Sequence, residues 1–371
     1  MKKITALLVL VVGFTLYSCS DDDQNSGGGD LKISGQVMSP NNDFPISRAV
    51  VKVFEGQELI AQKTTDALGN FTVEDLPEGQ YTVVLSKGKF TRTLAVDLQQ
   101  DYTLDVAQRN FDTFPKIGVM LGTYDQIEEI LFGIGVVDDT GAPAFDIIDG
   151  SSARGMADDR GHQVAARNLN LEPNVAFSIA ELLHSPEMLA EYDILFFNCN
   201  SQQTLAQDAE AMNNLKTFVE NGGIIYATDW MYKYIQSMFP EGYLNFAAHH
   251  GGNGGSVVAT LGSTDLENWL EAQGISVTPT VTVDGFLGGW QMVDSFNDDL
   301  VDGWVIAPEV YYSGGNVYDK PLAYTFGYGC GGVFYSSFHT HGNYSASAAI
   351  DQMMAYFVFE LSGLGLGCPQ S

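Results

Sequence analysis

A strand, a helix with marked ends and a second strand in close succession leave a chain few ways to fold, and residues 192 to 228 carry that pattern. "YDILFFNCN" is a short, continuous apolar run of the kind found in strands buried on both faces. In the "TLAQ" that follows, Thr204 and Gln207 have capping-box spacing. Met212, Leu215, Phe218 and Val219 then fall on one helical face, and Asn221, Gly222 and Gly223 supply a left-handed stop before the strand "IIYAT". Such a unit closes as a right-handed parallel crossover. "KIGVMLG", followed by Ile127, Ile130 and Leu131 at helical spacing, begins a similar unit upstream. Residues 115–364 are therefore expected to form an α/β domain with an open, doubly wound parallel sheet.

The preceding segment obeys a different rule. From residue 31 to 107 the runs "LKISGQV", "AVVKVFEG", "QYTVVLS" and "FTRTLAVDL" are separated by turn signals such as "DALGN" and "LPEGQ". Period-two segments of this length predict a small all-β sandwich. In one of them Tyr81, Val83 and Leu85 share the inward face. The opening "ISGQV" and the stretch "TTDALGNFTVEDLPEGQYTVVLS" resemble the carboxypeptidase regulatory-like (transthyretin-like) domain, which implies a spacer or accessory binding module without catalytic residues.

At the start of the chain, Lys2 and Lys3 precede an apolar run from Ile4 to Leu16, too short to span a bilayer, so residues 1–18 read as a signal peptide. The run ends in "LYSC", which resembles the bacterial lipoprotein box and implies lipidation at Cys19. Acyl chains contribute about 0.8 kcal/mol per buried methylene, enough in a multiply acylated Cys to hold a domain at a membrane. Residues 19–30, "CSDDDQNSGGGD", make an acidic, Gly/Ser-rich tether. This resembles the acidic signal that sends lipoproteins to the outward face of the outer membrane. Net charge is −29, and −31 once Lys2 and Lys3 leave with the leader, so nucleic acid and anionic lipid are excluded as partners. Cys199, Cys330 and Cys368 show no zinc spacing and are expected as buried thiols, with a Cys330–Cys368 bridge as the alternative.

In open α/β sheets ligands bind beyond the carboxyl ends of the strands. That rule selects Gly122, Thr123, Tyr124 and Asp125, then Asn198, Cys199 and Asn200, then Thr228, Asp229 and Trp230. Later, "KPLAYTFGYGCGGVFYSSFHTHG" reads as two strands joined by a glycine turn, then a loop with His339 and His341. In order of elements, and in Phe338 and His339, the domain resembles the class I glutamine amidotransferase-like group, which implies a flavodoxin-like sheet. The departures are specific: "YATDWM" has neither the Cys nor the glycines of that family's nucleophile turn. Asn198, Cys199 and Asn200 replace its oxyanion glycines, and His341 stands where active members carry Glu. A thiolate needs a base and a positioned turn, and one lost oxyanion donor alone costs roughly a hundredfold to a thousandfold, so glutaminase chemistry is excluded.

The expected work is non-catalytic: binding a glycan, a cell-wall fragment or a partner protein at the envelope through Tyr124, Asn198, Asn200, Asp229, Trp230 and His339. The alternative is a hydrolase of an envelope polymer with Asp229 and His339 as acid and base. An ordinary role for Asp229 is to cap the helix that follows. In that helix Met231, Ile235 and Met238 should face the core, with Trp230 and Tyr234 on a separate aromatic edge. Cys199 reads as packing, and no metal or other cofactor is expected. The glycines of "AAHHGGNGGS" read as a mobile lid, and residues 151–185 as a polar insertion.

Overall fold

The computed structural model describes residues 29–150, 171–240, 242–340 and 348–364. The leader, most of the tether, Cys19, His341 and Cys368 lie outside them, as does the first part of the polar insertion. Within the described residues no helix is long and apolar enough to cross a membrane.

The N-terminal strands are β1 (Leu31–Gln36), β2 (Val50–Glu55), β3 (Glu58–Thr64), β4 (Asn70–Leu76), β5 (Gly79–Lys87), β6 (Phe90–Leu98) and β7 (Tyr102–Thr103). They form two sheets, ordered β4-β1-β7 and β3-β2-β5-β6, which is the expected all-β sandwich. Alternation does what the sequence required: Tyr81, Val83 and Leu85 of β5 are buried, while Thr82, Val84 and Ser86 between them are only partly covered.

The second part contains β8 (Ile117–Met120), α1 (Ile127–Gly133), β9 (Asp146–Ile148), α2 (Ile179–His184), α3 (Pro186–Leu189), β10 (Ile194–Phe197), α4 (Ala209–Glu220), β11 (Ile224–Thr228) and α5 (Tyr232–Met238). It continues with β12 (Leu244–Phe246), β13 (Gly255–Leu261), α6 (Thr264–Ala272), β14 (Val281–Phe286), β15 (Val293–Phe296), β16 (Val301–Tyr312), β17 (Gly315–Tyr328), β18 (Gly331–Ser336) and α7 (Ala349–Leu361). Nine strands make one sheet, ordered β14-β13-β16-β17-β18-β11-β10-β8-β9.

Five neighbours, β18, β11, β10, β8 and β9, run parallel. The other four add antiparallel, so the sheet is mixed and the expectation of a purely parallel, doubly wound sheet is corrected. The cause is local. Ser313 and Gly314 both have positive φ (51° and 89°), the backbone of a tight hairpin turn, and they fold β16 directly back on β17. A two-residue turn leaves no room for a crossover helix.

Side chains of the parallel strands divide between two cores. Ile194, Phe196, Ile224, Tyr226 and Phe334 face a core shared with the sandwich, α6 and α7, whereas Leu195, Phe197, Ile225, Ala227 and Tyr335 face α2, α4 and α5. Met212, Leu215, Phe218 and Val219 bury against that second face as the helical spacing predicted. The helix stops at Asn221, and Gly222 takes φ 108°.

Its start differs from expectation. Gln203–Gln207 form a short 3₁₀ turn, and α4 begins after Asp208, whose side chain accepts from the Glu210 and Ala211 amides, so Thr204 and Gln207 do not cap it. A capping box does occur at Ser178 and Glu181, opening α2 within the segment read as a polar insertion. Cys330 is disulfide-bonded, which corrects its reading as a thiol.

Candidate functional site

One buried carboxylate ties the strand tips together. Asp125, just beyond β8, accepts from the Cys199 N–H (3.0 Å) at the tip of β10 and from the Thr228 hydroxyl at the end of β11 through Oδ2. Through Oδ1 it accepts from the Thr340 N–H (2.8 Å) and hydroxyl (3.3 Å) beyond β18. A further bond runs back from the Gln126 N–H to Thr340 Oγ1 at 2.8 Å. The carboxylate is 1% exposed, and several donors replace the hydration that burial removes.

That tie brings Cys199, Asp229 and His339 together, with their sulfur, carboxylate and imidazole atoms all within 4.8 Å of one another. His339 Nε2 lies 3.2 Å from Asp229 Oδ2, and Cys199 Sγ lies 3.9 Å from the same oxygen. The other Asp229 oxygen accepts from the Gln291 N–H at 2.6 Å, and the Tyr335 hydroxyl donates to the Asp229 carbonyl at 3.2 Å. Asp229 does not cap a helix. It sits at φ 38° between β11 and α5, a left-handed conformation that Asp tolerates better than most residues, and its side chain turns inward.

Burial and neighbouring charge together set the protonation of this trio. It raises the Asp229 pKa, with His339 and the Gln291 amide only partly offsetting it. Burial opposes charge on His339 as well, but Cys199, Asp125 and Asp229 outweigh it and lift the imidazole well above its ordinary value. Both groups therefore hold a proton more tightly than they would in water. The Cys199 thiol is pushed up to about 12, chiefly by burial, so it is not a standing thiolate.

The residues selected at the strand tips thus converge, but beneath the surface. Asn198 is 0% exposed, Asp229 3%, His339 1% and Tyr124 7%. Asn198 donates to Glu128 Oε2 at 2.9 Å and packs inward. Met231, Ile235 and Met238 face the core as expected, but Tyr234 does too, its hydroxyl donating to the Gln202 carbonyl at 3.0 Å. The aromatic edge is instead Trp230 and Tyr232, both half-buried, each 5.6 Å from the exposed His250 ring, with Phe246 beside Tyr232. Trp230 also meets Tyr124 edge-on at 6.2 Å and donates to the Gly289 carbonyl.

Beside that edge is an open groove of about 490 Å³, lined by Asn200, Gln203, Thr204, Gln207, Tyr232, Lys233, Gln236 and Ser237. Its polar groups hold one another in place: Asn200 donates to Thr123 Oγ1 at 3.0 Å, Gln203 donates to Asn200 Oδ1 at 2.7 Å, and Lys233 donates to Gln203 Oε1. Of the residues selected from sequence, only Asn200 lines it. The "QQTLAQ" and "YKYIQS" runs hold the rest, and their richness in amides was the available signal.

The glycine-rich segment is tied down, contrary to the lid reading. Ser313 and Gly289 donate to the Gly251 and Gly252 carbonyls (3.0 and 2.8 Å), and Trp290 Nε1 donates to Asn253.

Residues 32–110 match the model of the carboxypeptidase regulatory-like domain family. The N-terminal part is therefore such a domain. No curated protein matches the chain in sequence. Among solved structures, a 5-hydroxyisourate hydrolase from Klebsiella pneumoniae is similar at 16% identity, over 23% of this chain and 96% of its own, with a TM-score of 0.19. A cytoplasmic protein from Salmonella typhimurium aligns over 77% of this chain and 95% of its own at 13% identity and TM-score 0.37. A type II cohesin–X-dockerin complex from Acetivibrio cellulolyticus aligns over 27% of this chain and 70% of its own at 20% identity and TM-score 0.19.

Proposed function

We propose that this is a lipid-anchored protein of the cell envelope, held at the outer membrane through Cys19 and facing outward. On this reading its amidotransferase-like α/β domain has no nucleophile and works by binding a glycan or related polyhydroxylated fragment of the envelope. The supporting observation is the preorganised groove of Asn200, Gln203, Lys233 and Gln236 beside Tyr232. Amides and an ammonium suit hydroxyl groups, and the aromatic face suits an apolar ring face. Asp229 and His339 are buried and do not line the groove, so on this reading they do not touch its ligand.

The hydrolase alternative draws on the 3.2 Å Asp229–His339 pair, but with both groups 3% exposed or less, a polymer has no route to them in this conformation. Titration calorimetry with envelope oligosaccharides separates the readings. Tyr232→Ala and Gln236→Ala are expected to weaken binding roughly tenfold each, about 1.4 kcal/mol. Turnover of those oligosaccharides that disappears in Asp229→Asn would overturn the binding reading, as would affinity indifferent to both groove substitutions.

A further inference from the structure

We propose that Cys199, Asp229 and His339 form a binding site for a divalent cation of the zinc type. The three ligating atoms come from the tips of different strands, segments far apart in sequence, so no spacing motif announces them. Their separations suit one ion. With metal bonds of about 2.0 Å to N and O and 2.3 Å to S, tetrahedral ligands stand about 3.3 Å apart for N and O and about 3.5 Å for S and O. The corresponding distances here are 3.2 Å from His339 Nε2 to Asp229 Oδ2 and 3.9 Å from that oxygen to Cys199 Sγ. The remaining pair, His339 and Cys199, lies within 4.8 Å, so the trio would draw together on binding to complete the geometry.

The chemistry of the set is selective. A mixed sulfur, nitrogen and oxygen environment suits zinc and neighbouring transition metals, whereas magnesium and calcium take oxygen ligands. Charge also balances, because a thiolate and a carboxylate neutralise a dication, which is what a buried site demands. Metal ligands bind in their deprotonated forms, so uptake of the ion is expected to release protons.

The surroundings are those of a supported site. Gln291 N–H holds the Asp229 oxygen remote from His339, leaving Oδ2 toward the other two ligands. Asp125 holds the Cys199 and Thr340 amides on either side of the cluster. A three-residue set leaves a fourth position for water or another ligand atom. This inference goes beyond the glycan reading and does not rest on it.

The test uses the full chain unfolded without reductant and refolded anaerobically with Co²⁺, so that its disulfide stays intact and burial does not block entry. Expected are one Co²⁺ per chain, the intense near-ultraviolet band of a cobalt–thiolate bond, and displacement by equimolar Zn²⁺. Cys199→Ser should remove the band, and Asp229→Asn and His339→Gln should each weaken Co²⁺ binding at least tenfold. Circular dichroism checks that each variant folds. Folded wild-type protein that takes up no Co²⁺, or binds it without the thiolate band, overturns the proposal, and so does a band that survives in Cys199→Ser. Should Cys199→Ser fail to fold, unchanged Co²⁺ affinity in both of the other variants would overturn it equally.

Discussion

If Asp125 is the tie among the strand tips, replacing it by Asn should cost far more than one atom's difference suggests. The carboxylate accepts from two backbone amides, Cys199 and Thr340, and from two threonine hydroxyls. Asn keeps one acceptor oxygen and puts an NH₂ group where the other stood. The Thr228 or Thr340 hydroxyl can rotate and accept from that group, since a hydroxyl works either way. A backbone amide cannot, so at least one of the two N–H groups is left facing another donor. A buried unpaired donor costs about 1–3 kcal/mol, and loss of charge assistance on the surviving bonds adds about 1 kcal/mol. The predicted destabilisation for Asp125→Asn is therefore roughly 2–4 kcal/mol. Urea unfolding followed by tryptophan fluorescence measures it, with the exposed Asp302→Asn as a control expected within about 0.5 kcal/mol of wild type. An Asp125→Asn midpoint indistinguishable from that control would mean that the tips are held together by packing alone.

Two other perturbations test the buried cluster and the domain junction. Because the folded-state pKa of His339 is raised, its contribution to stability is fully present below its unfolded value of about 6.5 and is lost as pH rises through the folded value. The urea midpoint of metal-free protein should accordingly fall above neutral pH, and His339→Gln should flatten that dependence; parallel profiles would dismiss the coupling. At the junction, Phe90 is fully buried and 5.1 Å from Phe359 of α7, so Phe90→Ala should lower stability by about 3–5 kcal/mol. All four tryptophans lie in the α/β domain, so a Trp-reported transition unmoved by this sandwich substitution would count against a shared core.

What the sequence disclosed and what it hid differ by the range of the interactions involved. The sandwich strands, the α4 face and the crossover from β10 to β11 depend on neighbours within a few residues, and period and turn chemistry reported them. In the antiparallel half of the sheet the glycine turn between β17 and β18 was read, but β16 escaped although its signal, "YYSGGNVY", was equally local: a hairpin turn between two alternating runs. The site was half legible. The strand-tip rule found the loops but not which way their side chains turn, because inward or outward orientation follows from partners such as Gln291 and Asp125 that lie about 60 to 100 residues away. Cys199 read as inert packing since nothing beside it in sequence is charged, yet His339 and Asp229 reach it through the fold.

The same reasoning bears on what the sandwich is for. Apart from Ala349 and Glu360, every residue of α7 is buried, on all sides of the helix and not along one stripe. A helix apolar all round needs cover all round. The sheet, α1 and α6 cover part of α7, and the tip of the β5–β6 hairpin reaches its last turn. There Phe90 meets Phe359, Lys87 pairs with Glu360 at 2.5 Å, and Ser362 Oγ donates to the Lys87 carbonyl at 3.0 Å. Lys89 adds a 2.5 Å pair to Asp193, the residue before β10, and Asp193 also accepts from the Lys116 N–H just before β8. The carboxypeptidase regulatory-like domain is therefore packed into the α/β domain and not merely joined to it. Among the described residues, its contacts complete the core at the N-terminal ends of the parallel strands, opposite the edge where the strand tips converge.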